Sequence, residues 1–202
     1  AFWEGLLNCK AVRNRYRLTK SILLTTLENK GSGASILELA AGTSQALLET
    51  MATLKDYGII VNATLVDIDP VSLNEAKALA DYLGIGDQVT TVTQNLVFYL
   101  KENREKRFDV VEMVGIADYL DEKTLSFVYR ISNHVLLNGG KLITANISDN
   151  PEKDFTHTVV DWPNMFYRDT VHMEEILQKA GFASVNVSKD PTSVYVIGVG
   201  GN

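Results

Sequence analysis

Cysteine is almost absent. Cys9, alone among 202 residues, excludes an internal disulfide and any multi-cysteine zinc site, and it points to a reducing compartment; a cytoplasmic setting and no bound metal are expected. Proline is scarce, with four residues, and no Pro-rich linker, low-complexity tract or internal repeat divides the chain. Apolar runs stay short. None approaches the roughly 18 residues of a membrane-spanning helix, and no stretch reads as a signal peptide. Positive charge is in deficit: 19 Lys and Arg against 25 Asp and Glu leave a net −6, which disfavours sequence-independent binding to nucleic-acid phosphates. Two phosphate signatures are also missing. Without G-x-G-x-x-G the odds of a nicotinamide cofactor fall, and without G-K-[ST] there is no P-loop.

What remains is an ordinary globular mixture, 46% hydrophobic and 22% charged, enough for one domain with a full core. The first thirty residues read as a helix, with Val12, Tyr16, Leu23 and Leu27 on one stripe. It forms a helical cap, 1–30, on a main unit of residues 31–202. From Ser35 onward, short β-branched runs alternate with helical stretches. Strands are expected at 35–39, 62–67, 88–93, 108–114, 141–147, 183–187 and 193–199, and helices after Ser44, from Asp69-Pro70 to Leu83, over 122–137 and from Thr170 to Gly181. This alternation argues for a doubly wound α/β fold, a mostly parallel seven-stranded sheet with helices on both faces. Only Ser188–Thr192 separates the last two strands, too short for a parallel crossover, so they are antiparallel. Residues 148–169 lack a clear period and are long for a plain connection; such segments are commonly lids or binding loops.

Ligands of such sheets bind beyond the carboxyl ends of the strands, which directs attention to the turns there. The first turn, Glu38-Leu39-Ala40-Ala41-Gly42-Thr43-Ser44, is built of small residues. They allow either close approach of a ligand to the backbone or simply tight packing. Asp67 ends the second strand 25 residues beyond Gly42, close to the spacing at which an acid reaches ribose hydroxyls. Asp69 is better placed to cap the next helix, which leaves Asp67 for a diol. Asn95, past the third strand, suits a purine edge or an ordinary turn.

Over residues 35–200 the sequence resembles the class I S-adenosylmethionine-dependent methyltransferases. The resemblance rests on Ile36-Leu37-Glu38-Leu39-Ala40-Ala41-Gly42-Thr43, on Leu65-Val66-Asp67-Ile68-Asp69-Pro70, on Phe108-Asp109-Val110-Val111 and on Leu136-Leu137-Asn138-Gly139-Gly140-Lys141-Leu142, together with the reversed final strand. Ala40 and Ser44 stand where that family most often has glycine. The resemblance implies that S-adenosylmethionine is the cofactor. Glu38, Ala40 and Gly42 would then line its methionine end, Asp67 would hold the ribose, and Asn95 would face adenine with Ile68 packed on the ring. Met113, Val114 and Gly115 would form the floor beneath the sulfonium.

Methyl transfer from sulfur is a displacement in which alignment carries most of the rate. A protic nucleophile also needs a base, whereas a carboxylate needs none. Of the three histidines, His134 and His172 read as packing or surface residues, and His157, in the lid segment, is the candidate base. Tyr167 and Arg168 in the same segment complete the candidate catalytic set. Trp162 and Arg168 suit an apolar acceptor with an anionic head, the alternative being that Trp162 packs the loop and Arg168 is solvated. Asp118 and Tyr119 form the other candidate substrate wall, or merely cap and pack the following helix. Arg13, with Arg15 and Arg17, covers the substrate or the cofactor's carboxylate, unless these are a plain solvated face. The Gly115–Leu120 stretch with the later Trp162 and Tyr167-Arg168 is similar to a group that includes 3-hydroxy fatty acid methyl ester synthases. That likeness implies methylation of the carboxylate of a fatty-acid-like or other apolar acid, a small-molecule substrate. Two rival readings are an NAD-dependent dehydrogenase and a non-catalytic binding module that kept the fold.

Overall fold

In the computed structural model, which describes residues 2–162 and 164–202, fifteen helices and strands alternate around one sheet. Helix α1 (Phe2–Gly5) and helix α2 (Leu7–Lys30) replace the single opening helix expected above. The chain breaks at Leu6, whose ψ of 141° is extended. Then follow β1 (Ala34–Leu39), α3 (Gln45–Asp56), β2 (Val61–Asp67), α4 (Pro70–Tyr82), β3 (Val89–Thr93), α5 (Leu96–Glu102), β4 (Phe108–Val114), α6 (Glu122–His134), β5 (Leu136–Ile147), α7 (Lys153–Thr158), α8 (Thr170–Lys179), β6 (Ser184–Lys189) and β7 (Tyr195–Gly201). Pro163, within the aromatic stretch noted in the sequence, lies outside the described residues.

The strands run β3-β2-β1-β4-β5-β7-β6. Every pairing from β3 to β5 is parallel, and β7 is antiparallel to both of its neighbours. This is the mostly parallel, seven-stranded Rossmann-like sheet expected. Its order reverses between β1 and β4, which places the switch point at the carboxyl ends of those two strands.

Helix starts follow their capping chemistry. Asp69 accepts from the Val71 and Ser72 amides ahead of Pro70, Asp121 from Thr124 N, and Asp169 from His172 N. Further stretches differ from the sequence reading. Helix α5 has only one apolar turn, Leu96, Tyr99 and Leu100, too short for periodicity to betray it. Strand β5 starts at Leu136, opposite Phe108; an irregularity between Phe108 and Val110 takes Asn138-Gly139-Gly140 into the strand, so that it does not close α6. Within 148–169, α7 forms a short helix, and the last two strands begin one to two residues later than expected.

Alternation along the strands divides the core into faces. Leu37, Leu39, Val111, Met113 and Leu142 pack beneath α5, α6 and α8. Ile36, Val110 and Ile143 pack beneath α2, α3 and α4. Helix α2 fully buries Ala11, Leu23 and Leu27, about 1.5–3 kcal/mol for each leucine. The N-terminal helix is therefore a packed layer whose middle lies over the carboxyl edge of β1 and β4. Tyr16 Oη and Lys20 Nζ fasten it to Glu49 of α3, at 2.6 and 2.5 Å. Those donors hold Glu49 down to about 2, and burial with the Glu49 bond pushes Tyr16 up to about 12.

Candidate functional site

The β1–α3 turn is a run of left-handed backbone: Ala40, Gly42 and Ser44 all have φ between 53° and 54°. This geometry suits glycine, and a side chain costs about 1 kcal/mol at each such position. Ala40→Gly should therefore raise stability by about 0.5–1 kcal/mol, read as a higher urea midpoint with unchanged slope. The turn brings the Gly42 amide to Asp67 Oδ2 at 2.8 Å, while the Asp69 amide donates to Oδ1 at 2.9 Å. Both carboxylate oxygens of Asp67 are thus oriented by backbone N–H groups, with lone pairs left for another donor.

Beside Asp67 lies a cleft of about 420 Å³. Asp67, Gln94 and Asn95 give it a polar edge; Ile68, Val97, Ile116 and Leu120 supply apolar walls, and Ala40 and Gly115 border its inner end. Ile68 is 68% exposed, an apolar side chain held in the open at the cleft mouth. Asn95 caps α5 by accepting from Val97 N at 2.9 Å and lines the cleft.

A second cavity, about 250 Å³, lies beyond the same turn and under α2, lined by Val12, Arg15, Tyr16, Thr19, Glu38, Ser44, Glu112 and Val114 among others. Glu38 and Glu112 are register partners on β1 and β4, so their side chains leave the sheet side by side. Both are buried. Ser44 Oγ donates to Glu38 Oε2, whereas Glu112 Oε2 and Thr19 Oγ1 have no partner among the described residues. Burial pushes both carboxyl groups above the ordinary carboxylate range, Glu112 further because Glu38 stands beside it. Glu112 and Thr19 escaped the sequence reading. A glutamate inside an apolar strand was the available signal.

Arg15 lines this second cavity and approaches Gly115, which borders the cleft. Its Nη2 lies 3.7 Å from where a Cβ on Gly115 would stand, its guanidinium stacks 4.4 Å over the Tyr195 ring, and Asp118 Oδ2 is 3.9 Å away. Arg13 does not reach this place. It is exposed, donates to the Glu4 carbonyl at 3.1 Å, and borders a different cavity, one of about 370 Å³ with almost wholly apolar walls. Leu6, Val12, Phe155, Val160 and Trp162 line that cavity, between α2 and α7. Val12 also borders the cavity of Glu38 and Glu112, so the two adjoin. Glu152 accepts from Leu7 N and Asn8 N at 2.7 and 2.8 Å and so ties α7 to the start of α2.

Several expectations need correction. Arg168 is neither solvated nor free to meet a substrate: it is 3% exposed, and its guanidinium donates to the Ala117 carbonyl, Asn146 Oδ1 and the Leu120 carbonyl at 3.0, 2.7 and 2.6 Å. Asp118 is likewise buried and accepts from Ile147 N at 2.5 Å, fixing the turn after β4 to the end of β5. Met113 points into the core beneath α6 and α8, opposite to Glu112, because alternate residues of β4 face opposite sides; Gly115 and Ile116 border the cleft instead. His157 and Tyr167 meet in a separate surface depression with Lys153 and Trp162, whose lining includes no residue of the Asp67 cleft. Lys153 stands 4.4 Å over the Tyr167 ring. Tyr119, 38% exposed, hydrogen-bonds Trp162, and of the two only Trp162 lines the apolar cavity. Ala40, Asp67, Ile68, Asn95 and Gly115 border the one cleft, Gly42 is bonded to Asp67, and Glu38 lines the adjoining cavity.

No protein-family model matches the chain, nor does any curated protein. Solved structures do. A "possible exported protein" of Bordetella parapertussis matches all of this chain and 71% of its own, at 20% identity and a TM-score of 0.86. An O-methyltransferase family protein of Burkholderia thailandensis matches 93% of this chain and 57% of its own, at 18% identity and a TM-score of 0.69. Magnesium protoporphyrin IX methyltransferase of Synechocystis, with bound SAH, matches 98% of this chain and 88% of its own, at 13% identity and a TM-score of 0.73. The chain thus spans little more than half of the Burkholderia protein. At such identities the likeness establishes architecture: the chain has the class I methyltransferase-like fold.

Proposed function

We propose that the protein is an S-adenosylmethionine-dependent methyltransferase acting on a small-molecule acceptor with an apolar body and a carboxylate head. The observation that carries the reading is Asp67. It ends β2, next to the switch-point strand β1, with both oxygens pre-oriented by the Gly42 and Asp69 amides, beside a cleft of nucleoside size. The residues fit the cofactor along its length. Asp67 would take the ribose hydroxyls, Asn95 and Ile68 the adenine, and the buried carboxyl groups beyond Gly42 the ammonium of the zwitterionic amino-acid end. When bound, the cofactor supplies a methyl group on positively charged sulfur.

This chain's own residues would do the rest. Gly115 leaves the backbone bare near Arg15, so the acceptor can approach closely. Arg15, and not Arg168, would pair the carboxylate head, and the apolar cavity between α2 and α7 would hold the body. Tyr119 and Trp162 would border that body. A carboxylate needs no base, and none of the three histidines lines the cleft or either cavity under α2. No described helix is long and apolar enough to cross a membrane; the single half-buried thiol, Cys9, supports a reducing, cytoplasmic setting. The test is transfer of isotopically labelled methyl from S-adenosylmethionine to medium-chain and long-chain carboxylic acids. Labelled, base-labile esters are expected with the wild type and a loss of about tenfold or more in kcat/KM with Arg15→Ala. A protein that binds the cofactor yet labels no acid in this series or in a cell extract is a binding module instead.

A further inference from the structure

We propose that Glu112 and Thr19 join Glu38 in receiving a primary ammonium group, and that Glu112 carries a proton in the free protein which leaves when that ammonium arrives. The inference rests on the proposed cofactor reading and concerns its amino-acid end. Three observations carry it. Glu38 and Glu112 are register partners on adjacent parallel strands and line one cavity. Glu112 is 2% exposed, yet its Oε2 has no hydrogen-bond partner among the described residues. Thr19, from the helix on the opposite wall, is 1% exposed, lines the same cavity and has an equally unpartnered Oγ1. Buried polar atoms in folded proteins are nearly always satisfied, so two orphans facing one cavity mark a place for a donor-rich group. An ammonium offers three N–H donors and one positive charge to a site with two carboxyl groups and one hydroxyl.

The proton's place follows from the hydrogen bonds. Burial raises both carboxyl groups, and Ser44 Oγ, by donating to Glu38, offsets part of that rise for Glu38 alone. No donor reaches Glu112 Oε2, and two neighbouring buried carboxyl groups cannot both ionise cheaply. The proton therefore rests on Glu112. Arg15, which lines this cavity, and the charged groups around it do not neutralise it. Glu49 is engaged by Tyr16, Lys20 and Gln45, Arg15 by Asp118 and the Tyr195 ring, and Asp67, facing the same turn, adds negative charge. An arriving ammonium makes ionised Glu112 favourable; its O–H proton passes to solvent and the carboxylate pairs with the N–H donors.

The test is calorimetric titration near neutral pH, in two buffers of different ionisation enthalpy, with S-adenosylhomocysteine and with 5′-methylthioadenosine, which lacks the amino-acid end. S-adenosylhomocysteine should release about one proton on binding the wild type. With Glu112→Gln the release should fall below about 0.3 proton and the Kd should rise about tenfold, whereas methylthioadenosine should release none and bind both proteins equally. Thr19→Val should weaken S-adenosylhomocysteine alone, by about fivefold. Wild-type binding without proton release, or equal weakening of both ligands by Glu112→Gln, overturns the inference and leaves the cofactor reading standing. Failure of the wild type to bind either ligand overturns both.

Discussion

Asp67→Ala is expected to weaken S-adenosylhomocysteine binding by about 100-fold or more, since a carboxylate accepting from a vicinal diol contributes roughly 1.5–3 kcal/mol per hydrogen bond. The Asp67 side chain already accepts from the Gly42 and Asp69 amides, at 2.8 and 2.9 Å. Its removal therefore also frees the turn that shapes the cleft, and the two effects add on the same ligand. Stability should suffer far less. Both amides lie in partly exposed surroundings where water can replace the carboxylate, so a loss of about 1 kcal/mol is expected. Asp67→Asn separates the contributions: its amide oxygen can keep one backbone bond, but it offers the diol one acceptor atom where the carboxylate has two. Titration of the three proteins beside their thermal melts is the check. A Kd unchanged by Asp67→Ala would remove the central support for a nucleoside in this cleft.

Arg168→Ala should lower stability by about 3–5 kcal/mol, the range for deleting one partner of a buried charged network. For a chain of this size that corresponds to a fall of about 10 °C in thermal midpoint. The guanidinium is the hub between the turn after β4 and the end of β5. It meets the carbonyls of Ala117 and Leu120 and the Asn146 amide oxygen, and truncation leaves these buried acceptors bare. Nearby, Asp118 holds the Ile147 amide, so the whole corner loosens together. Arg168→Lys should recover less than half of the loss, because an ammonium cannot present the planar fork that reaches three divergent acceptors. Differential scanning calorimetry reads the result. A melt within about 2 °C of wild type, paired with reduced turnover, would return Arg168 to a direct role in catalysis.

The two substitutions separate what was legible from what was not. Asp67 could be found from its place at the end of an apolar run, a fixed distance past a small-residue turn and two residues before an Asp-Pro helix start. All of that is local. The helix start set by Asp69 was legible for the same reason, because a cap and its amides lie within three residues of each other; Asp121 and Asp169 do the same work and were open to the same reading. Helix α5 was not, since one turn of Leu96, Tyr99 and Leu100 is shorter than any window in which a period can be counted. Arg168 was read as facing a substrate, and Arg13, Arg15 and Arg17 were read together, although Arg13 and Arg15 end in different places. Arg168 and Arg15 are both arginines in polar surroundings, and nothing within five residues of either tells that one ends among carbonyls 48 and 51 residues away while the other lies over Gly115.

By itself the sequence determined the alternation of strands and helices, the reversed last strand and the acidic residue at the end of β2, because each is written in neighbours along the chain and in the two periods of 2.0 and 3.6 residues. Only the tertiary structure decided that Glu112 stands beside Glu38, that Thr19 closes over both, and that Arg168 belongs to the scaffold. Those facts depend on strand register, on the side of the sheet that a helix covers and on which buried acceptors lack a donor. Each is a relation between segments far apart in sequence, fixed when the core closes and its polar groups must find partners.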